Sequence, residues 1–151
     1  MTNKQNESGQ LNTITNKYTR RIFNNTFLLR FPIIVILIAH SVGGMFNGGI
    51  TDFGNLYLNE VGFAPFGIIL AWAIKLSHLA AAICLLTNKY VKLAGWITIF
   101  IFIMGIIMVH FQEGWFVVGG GRNGVEFNFL LIFTIFYIMY PNLFLKQIAN
   151  R

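Results

Sequence analysis

The sequence predicts an all-α integral membrane protein, a four-transmembrane-helix up-down-up-down bundle with both termini cytoplasmic. Three observations carry that expectation. Only 11 % of residues are charged against 56 % hydrophobic, where a soluble domain carries about 25 % charged residues to cover its surface. The apolar residues gather into long blocks, and 16 of the 151 residues are Phe, a side chain suited to lipid-facing surface. The cations also sort to one side of those blocks, as membrane topology requires.

Four segments are long enough to supply the roughly 20 helical residues that cross a hydrocarbon core: about 27–46, 65–86, 93–111 and 124–145. They define a membrane domain over 27–146. Residues 1–26 are polar and basic, and Met1 to about Asn16 lacks the apolar content that would offset its ordering entropy. That stretch is expected to be a disordered cytoplasmic tail. It has no apolar run before a small-residue cleavage site, so no secretory signal peptide is expected. Lys17 to Arg30 is predicted to form a short interfacial helix with Tyr18, Ile22, Phe23 and Phe27 in the headgroup plane. Residues 147–151 are the cytoplasmic C-terminal end.

The connections set the topology. Spans two and three are joined by the tight turn "TNKYVK", whereas "NGGITDFGNLYLNEVGF" and "QEGWFVVGGGRNG" read as longer, Gly-rich loops. Nine of the eleven Lys and Arg residues lie in or next to the tail, the turn and the C-terminal end, with Arg30 and Lys146 counted at the span ends beside them, and the long loops hold only Arg122. Four of the five acids, Asp52, Glu60, Glu113 and Glu126, fall in or beside those loops. Positive segments stay cytoplasmic, so both termini are expected inside and the long loops outside. The net charge of +6 is thereby a topology signal, and no nucleic-acid partner is expected. The lone Cys84 excludes an intramolecular disulfide. Short connections make sequential helices antiparallel neighbours, and Gly43, Gly44, Gly67 and Ala71 mark faces where backbones can approach closely.

The polar residues inside the spans carry the chemistry. A charge at mid-membrane costs several kcal/mol and marks a functional candidate. Lys75 lies about ten residues from either end of span two, roughly 15 Å of helix rise from each interface, with no acid of this chain at its depth. It is expected to be neutral, hydrated in a cavity, bound to carbonyl groups, or paired with an acid from a partner or a ligand. His78 follows on the same face three residues later, and His40 lies near mid-depth in span one. The two histidines can bracket a ligand, shuttle a proton or serve as axial haem ligands. Haem is the weakest of these, since no c-type attachment motif accompanies them. A structural role as satisfied hydrogen-bonding groups is the plain alternative.

A second candidate cluster lies at the outer interface: His110, Glu113, Arg122, Asn123 and Glu126. Glu126 opens span four, where the unpaired amides of a helix N-terminus favour a carboxylate. Arg122 and Glu126 are spaced for an ion pair, while Trp115 and Phe116 read as an aromatic belt. "GGGRNG", Gly119 to Gly124, matches the pattern G-x-G-x-x-G. The match is rejected because the fingerprint needs a preceding strand in a βαβ unit, and a membrane span follows here. No zinc-spaced Cys/His groups, nucleophile elbow or P-loop are present, and no metal site or intrinsic cofactor is expected.

With those residues laid out, the chain resembles the DoxX family of small four-span bacterial inner-membrane proteins over about Leu29 to Pro141. "LRFPIIVILIAHSVGGMF" looks like the family's opening helix, with His40 at its His or equivalent polar position. Span two with "LLTNKYVKLAG" is similar to the family's apolar helix and small cytoplasmic turn. "HFQEGWF…NGVEFNFLLI" looks like its most specific block, matching at His110, Gly114, Trp115, Phe116, Gly124, Glu126 and Phe127. Lys75 stands near a position where the family often has an acid, and Phe127 where tyrosine is usual. The resemblance implies a bacterial inner-membrane location and association with redox complexes, including thiosulfate:quinone oxidoreduction.

Three readings follow. The first is a redox-linked membrane subunit that contributes a quinone or proton-handling site, with His40, Lys75 and His78 meeting quinone oxygens. In it His110 and Glu126 carry protons outward, a cavity joins these positions, and a partner supplies the electron carrier, so the chain alone is not expected to be catalytic. The second is a structural or assembly subunit contacting other membrane subunits. The third is a small-molecule or lipid-binding module, as a homo-oligomer.

Overall fold

The longest apolar runs in the sequence become the longest helices. In the computed structural model, which describes residues 13–119, 121 and 123–143, the elements are α1 (13–22), α2 (Phe27–Met45) and α3 (Gly49–Asp52), with α3 running on as wider π-helical turns over Phe53–Phe63. Then come α4 (Gly67–Thr87), α5 (Val91–Gly105) and α6 (Glu126–Met139); α5 continues through π-helical turns at Ile106–His110 and a 3-10 turn at Phe111–Glu113. No strand occurs among the described residues. Three helices are long and apolar enough to cross a membrane: Phe27–Met45 (19 residues), Gly67–Thr87 (21 residues) and Val91–Glu113 (23 residues). Under a third of each is buried in the chain, and Leu28, for example, is 83 % exposed. Their apolar exteriors therefore face outward, the reverse of a water-soluble bundle.

The fourth expected span is shorter than predicted. The α6 helix has 14 residues, about 21 Å of rise. Its start is fixed at Glu126 because the Val125 and Glu126 amides bond to the carbonyls of Gly114 and Trp115. Its end is fixed by Pro141, since the residue before a proline is pushed out of the α region; Tyr140 has φ −132° and ψ 54°. The rest of the predicted span, 144–145, and the C-terminal end 147–151 lie outside the described residues, as does the tail over 1–12.

The other ends are equally local in origin. Asn88 adopts the left-handed conformation (φ 51°), a role asparagine tolerates at helix C-termini, and the Asn88 and Lys89 amides return to the Leu85 and Cys84 carbonyls. The interfacial helix expected over Lys17 to Arg30 is divided instead. Helix α1 spans 13–22, reaching into the expected tail, and Arg30 belongs to α2.

One expected loop is mostly helix. Residues 49–63 form α3 and its continuation, which packs against the start of α4. Ile50, Gly54 and Leu58 turn inward, and Gly67 N–H donates to Asn59 Oδ1 at 2.9 Å. A Cβ on Gly54 would sit 2.5 Å from Ile68 Cα and 2.8 Å from Ile68 N, and backbone cannot yield to it. Gly54→Ala is therefore expected to push α3 off α4 and cost about 1–3 kcal/mol, the usual range for overpacking. A lowered unfolding midpoint in mild detergent checks this, and an unchanged midpoint would mean the two segments are not held in contact.

The helices form a ring in the order α2, α4, α5, α6, with α6 returning to α2. The end bearing the α4–α5 turn is the turn face and the opposite end the loop face. The main core lies in the turn-face half, built from Ile33, Leu37, Ala81, Leu85, Ile135 and Ile138 with their neighbours. A smaller cluster, Ile50, Leu58 and Ala71, lies between α3 and α4. The ring axis in the loop-face half is left to a cavity.

Candidate functional site

That cavity measures about 770 Å³, inside the range of small-molecule sites. His40 from α2 and Lys75 and His78 from α4 line it, and so do His110 and Asn123 from the α5–α6 connection. The rest of its wall is mainly apolar, with residues such as Leu37, Phe102 and Leu131. The intramembrane trio and part of the outer cluster, His110 and Asn123, thus share one space.

The trio is assembled by spacing and by helix pairing. Lys75 and His78 are one turn apart on α4, and α2 packs along α4 so that His40 meets them. Lys75 Nζ donates to the His40 carbonyl oxygen at 2.9 Å, so among the expected solutions for this ammonium the structure gives a backbone carbonyl. The His40 and His78 rings lie 6.4 Å apart between centroids. His78 is 3 % exposed and its ring lies 5.7 Å from that of Phe102. Neither of its ring nitrogens has a hydrogen-bond partner among the described residues, and the buried Ser41 Oγ is in the same position. Buried polar groups are bonded in all but a few cases, so both ring nitrogens of His78 keep hydrogen-bonding capacity at the wall of a largely apolar cavity.

Among the described residues, His110 and Glu126 make separate attachments. His110 Nδ1 bonds to the Asn123 carbonyl oxygen, so that nitrogen carries the proton, while the Glu126 carboxylate accepts from Val117 N–H at 2.8 Å. The two residues hold different points of the 114–125 connection. A Cβ on Gly124 would land on the Trp115 and Phe116 carbonyl oxygens, so glycine is what lets this segment fold back over the loop face. Glu113 is exposed and does not line the cavity, nor does Glu126. Arg122, and with it the expected Arg122–Glu126 ion pair, lies outside the described residues. Trp115 and Phe116 are exposed.

Several residues of the wall were not anticipated. Tyr57 lines the cavity and its hydroxyl donates to the Met108 carbonyl within the π-helical turns of α5. Asn128 lines it from α6; a lone amide within "EFNFLLIF" was the available signal. Tyr57 gave no such signal because its segment read as a loop. Comparison with protein-family models, curated proteins and solved structures finds no match to this chain.

Proposed function

We propose that this chain is a multi-pass membrane protein, similar to the DoxX family, that serves as a subunit of a redox-linked complex and holds a quinone-class ligand in its loop-half cavity. The observation that carries the reading is the unpartnered His78 imidazole on a largely apolar cavity, one helical turn from the Lys75 ammonium. A ligand suited to that site has an apolar body and a polar head that both accepts and donates hydrogen bonds. Neutral imidazole offers one N–H and one lone pair, and an ammonium offers three donors, of which the His40 carbonyl takes one. A quinone oxygen accepts from either group, and a quinol hydroxyl donates to His78. Partner chains supply the electron carrier in this reading.

In this reading the chain crosses a bacterial inner membrane four times, with both termini and the turn on the cytoplasmic side. Three helices reach span length; we place the shorter α6 as a fourth crossing, its rise matched by local thinning or snorkelling of its flanks. The cations of the α4–α5 turn, Lys89 and Lys92, sit with Lys17, Arg20 and Arg21 of α1 at one end: Arg21 Nε donates to the Asn88 carbonyl and Asn88 Nδ2 to the Arg21 carbonyl. A purely structural subunit is the second reading, favoured by the wide apolar exterior of exposed residues such as Phe100, Phe129 and Phe133.

The test is extraction of the protein from its native membrane in mild detergent, with an optical spectrum and mass spectrometry of co-purifying chains and lipids. About one quinone per chain, with a flavin- or haem-bearing partner, is the expected result. A quinone-free preparation bound to a non-redox complex would overturn the proposal in favour of the structural reading.

A further inference from the structure

We infer that, of its two ends, the cavity meets water only at the loop face, so that a proton taken up or released at the site passes through that face. The inference rests on the membrane reading above but not on the identity of the ligand.

Two sets of observations carry it. Toward the turn face the ring axis is filled. From His78 onward the core residues of all four helices are buried and apolar, among them Ile33, Ala82, Leu85, Ile99 and Ile135, and the buried Thr98 hydroxyl is bonded to the Ala94 carbonyl. The packing leaves no slack there, since a Cβ on Gly95 would lie 2.8 Å from Met139 Cγ and 3.2 Å from Ile135 Cγ2. The Arg30 guanidinium, fully buried, plugs the same end by bonding the carbonyls of Ile22 and Leu85. Toward the loop face polar residues join the apolar wall, and it reaches exposed residues. Asn47 and Asn123 line the cavity and are themselves exposed, and His110 and Asn128 stand between them and the trio. An apolar plug at one end and a polar mouth at the other describe a half-channel. Its deep end holds the unpartnered His78.

Vectorial consequences follow from the geometry. A hydroxyl-bearing ligand that gives its proton to a ring nitrogen of His78 leaves that proton with a water-accessible route only outward. The opposite route requires a charge to cross packed hydrocarbon.

Sided thiol labelling tests this without any ligand. The full chain carrying Cys84→Ser, reconstituted in lipid vesicles, receives single cysteines, and a membrane-impermeant cationic methanethiosulfonate is applied from outside or from the lumen. Val118→Cys reports the loop face and Tyr90→Cys the turn face, as both are exposed (75 % and 77 %). Asn128→Cys and Ile74→Cys each probe the cavity wall, so one misfolded variant leaves the other. Both are expected to react from the Val118 side about 100-fold faster than from the Tyr90 side, because a fixed charge enters hydrocarbon so poorly. Equal rates from the two sides, faster labelling from the Tyr90 side, or no labelling where Val118→Cys reacts would each overturn the half-channel. Val118→Cys and Tyr90→Cys reacting from one side would remove the bilayer reading and this inference with it. Sided labelling in a protein that binds no quinone would remove only the quinone assignment.

Discussion

Arg30→Met is expected to be the most damaging single substitution at the turn face, lowering the unfolding midpoint by about 10 °C or more, at roughly 3 °C per kcal/mol for a chain of this size. Arg30 is 0 % exposed, yet no carboxylate among the described residues meets it. Its guanidinium instead reaches the carbonyls of Ile22 and Leu85, the Asn24 side-chain oxygen at 2.8 Å and the Thr26 hydroxyl at 3.2 Å. Ile22 is the last residue of α1, and Leu85 lies in the last turn of α4. Carbonyls there carry the negative end of the helix dipole, and that of Leu85 also accepts from the Asn88 amide. One cation thus caps two helices and fastens α1 to the bundle. Methionine keeps much of the volume but takes the charged donor from the Ile22 carbonyl and leaves the Leu85 carbonyl and Asn24 Oδ1 with only the Asn88 amide and the Thr26 N–H and hydroxyl, a loss of about 3–5 kcal/mol for several hydrogen bonds to a charged group at about 1.5–3 kcal/mol each.

Arg30→Lys distinguishes charge from geometry. An ammonium has three donors and no planar fork, so it cannot span acceptors on both α1 and α4. It is expected to recover under half of the lost stability. Thermal unfolding in mild detergent, followed by a thiol-reactive dye at the part-buried Cys84, reads both variants directly. A Met variant that unfolds with the wild type would show that lipid headgroups, not the protein, satisfy those carbonyls.

Arg30 also marks where sequence reading stopped short. Counted with the basic tail it fits the topology rule, but it stands inside "FLLRFPII", and a charge among apolar residues was a signal for a buried, bonded role. The three long helices were legible from length and hydropathy because a bilayer demands both. The α3 segment was not, since Asn47, Gly48, Asp52 and Asn55 gave it the composition of a loop. Its periodicity was present all the same: Ile50, Phe53, Gly54, Tyr57 and Leu58 follow the i, i+3, i+4, i+7, i+8 spacing of a helix face. Lys75 and His78 were legible as a pair because helical spacing joins them. That His40 supplies its carbonyl rather than its ring to Lys75 depends on the α2–α4 pairing, which no local pattern encodes. The outer cluster was read from shared depth alone, and depth does not distinguish His110, which lines the cavity, from Glu126, which ties down the connection.

His78→Leu is expected to move stability and binding in opposite directions. An unpartnered buried imidazole costs about 1–3 kcal/mol of desolvation without return. Leucine has nearly the same volume and no polar atom, so the ligand-free variant should be more stable. The gain is partly offset by the lost ring contact with Phe102, about 0.5–1.5 kcal/mol, and the net is a rise of roughly 1 kcal/mol. Ligand retention should fall at least about tenfold, the loss of one hydrogen bond of about 1.4 kcal/mol. Lys75→Met is expected to follow the same pattern, since it removes a cation whose mid-span placement costs about 2.5–3.5 kcal/mol on insertion scales. Unfolding midpoints of the delipidated variants and quinone retained per chain by mass spectrometry check both. The sign is what decides. A histidine kept for packing loses stability when replaced and leaves binding alone, whereas one kept for a ligand is a standing cost that its removal relieves. If His78→Leu is less stable than the wild type and retains quinone, the cavity's polar end is structural and the ligand, if any, is held elsewhere.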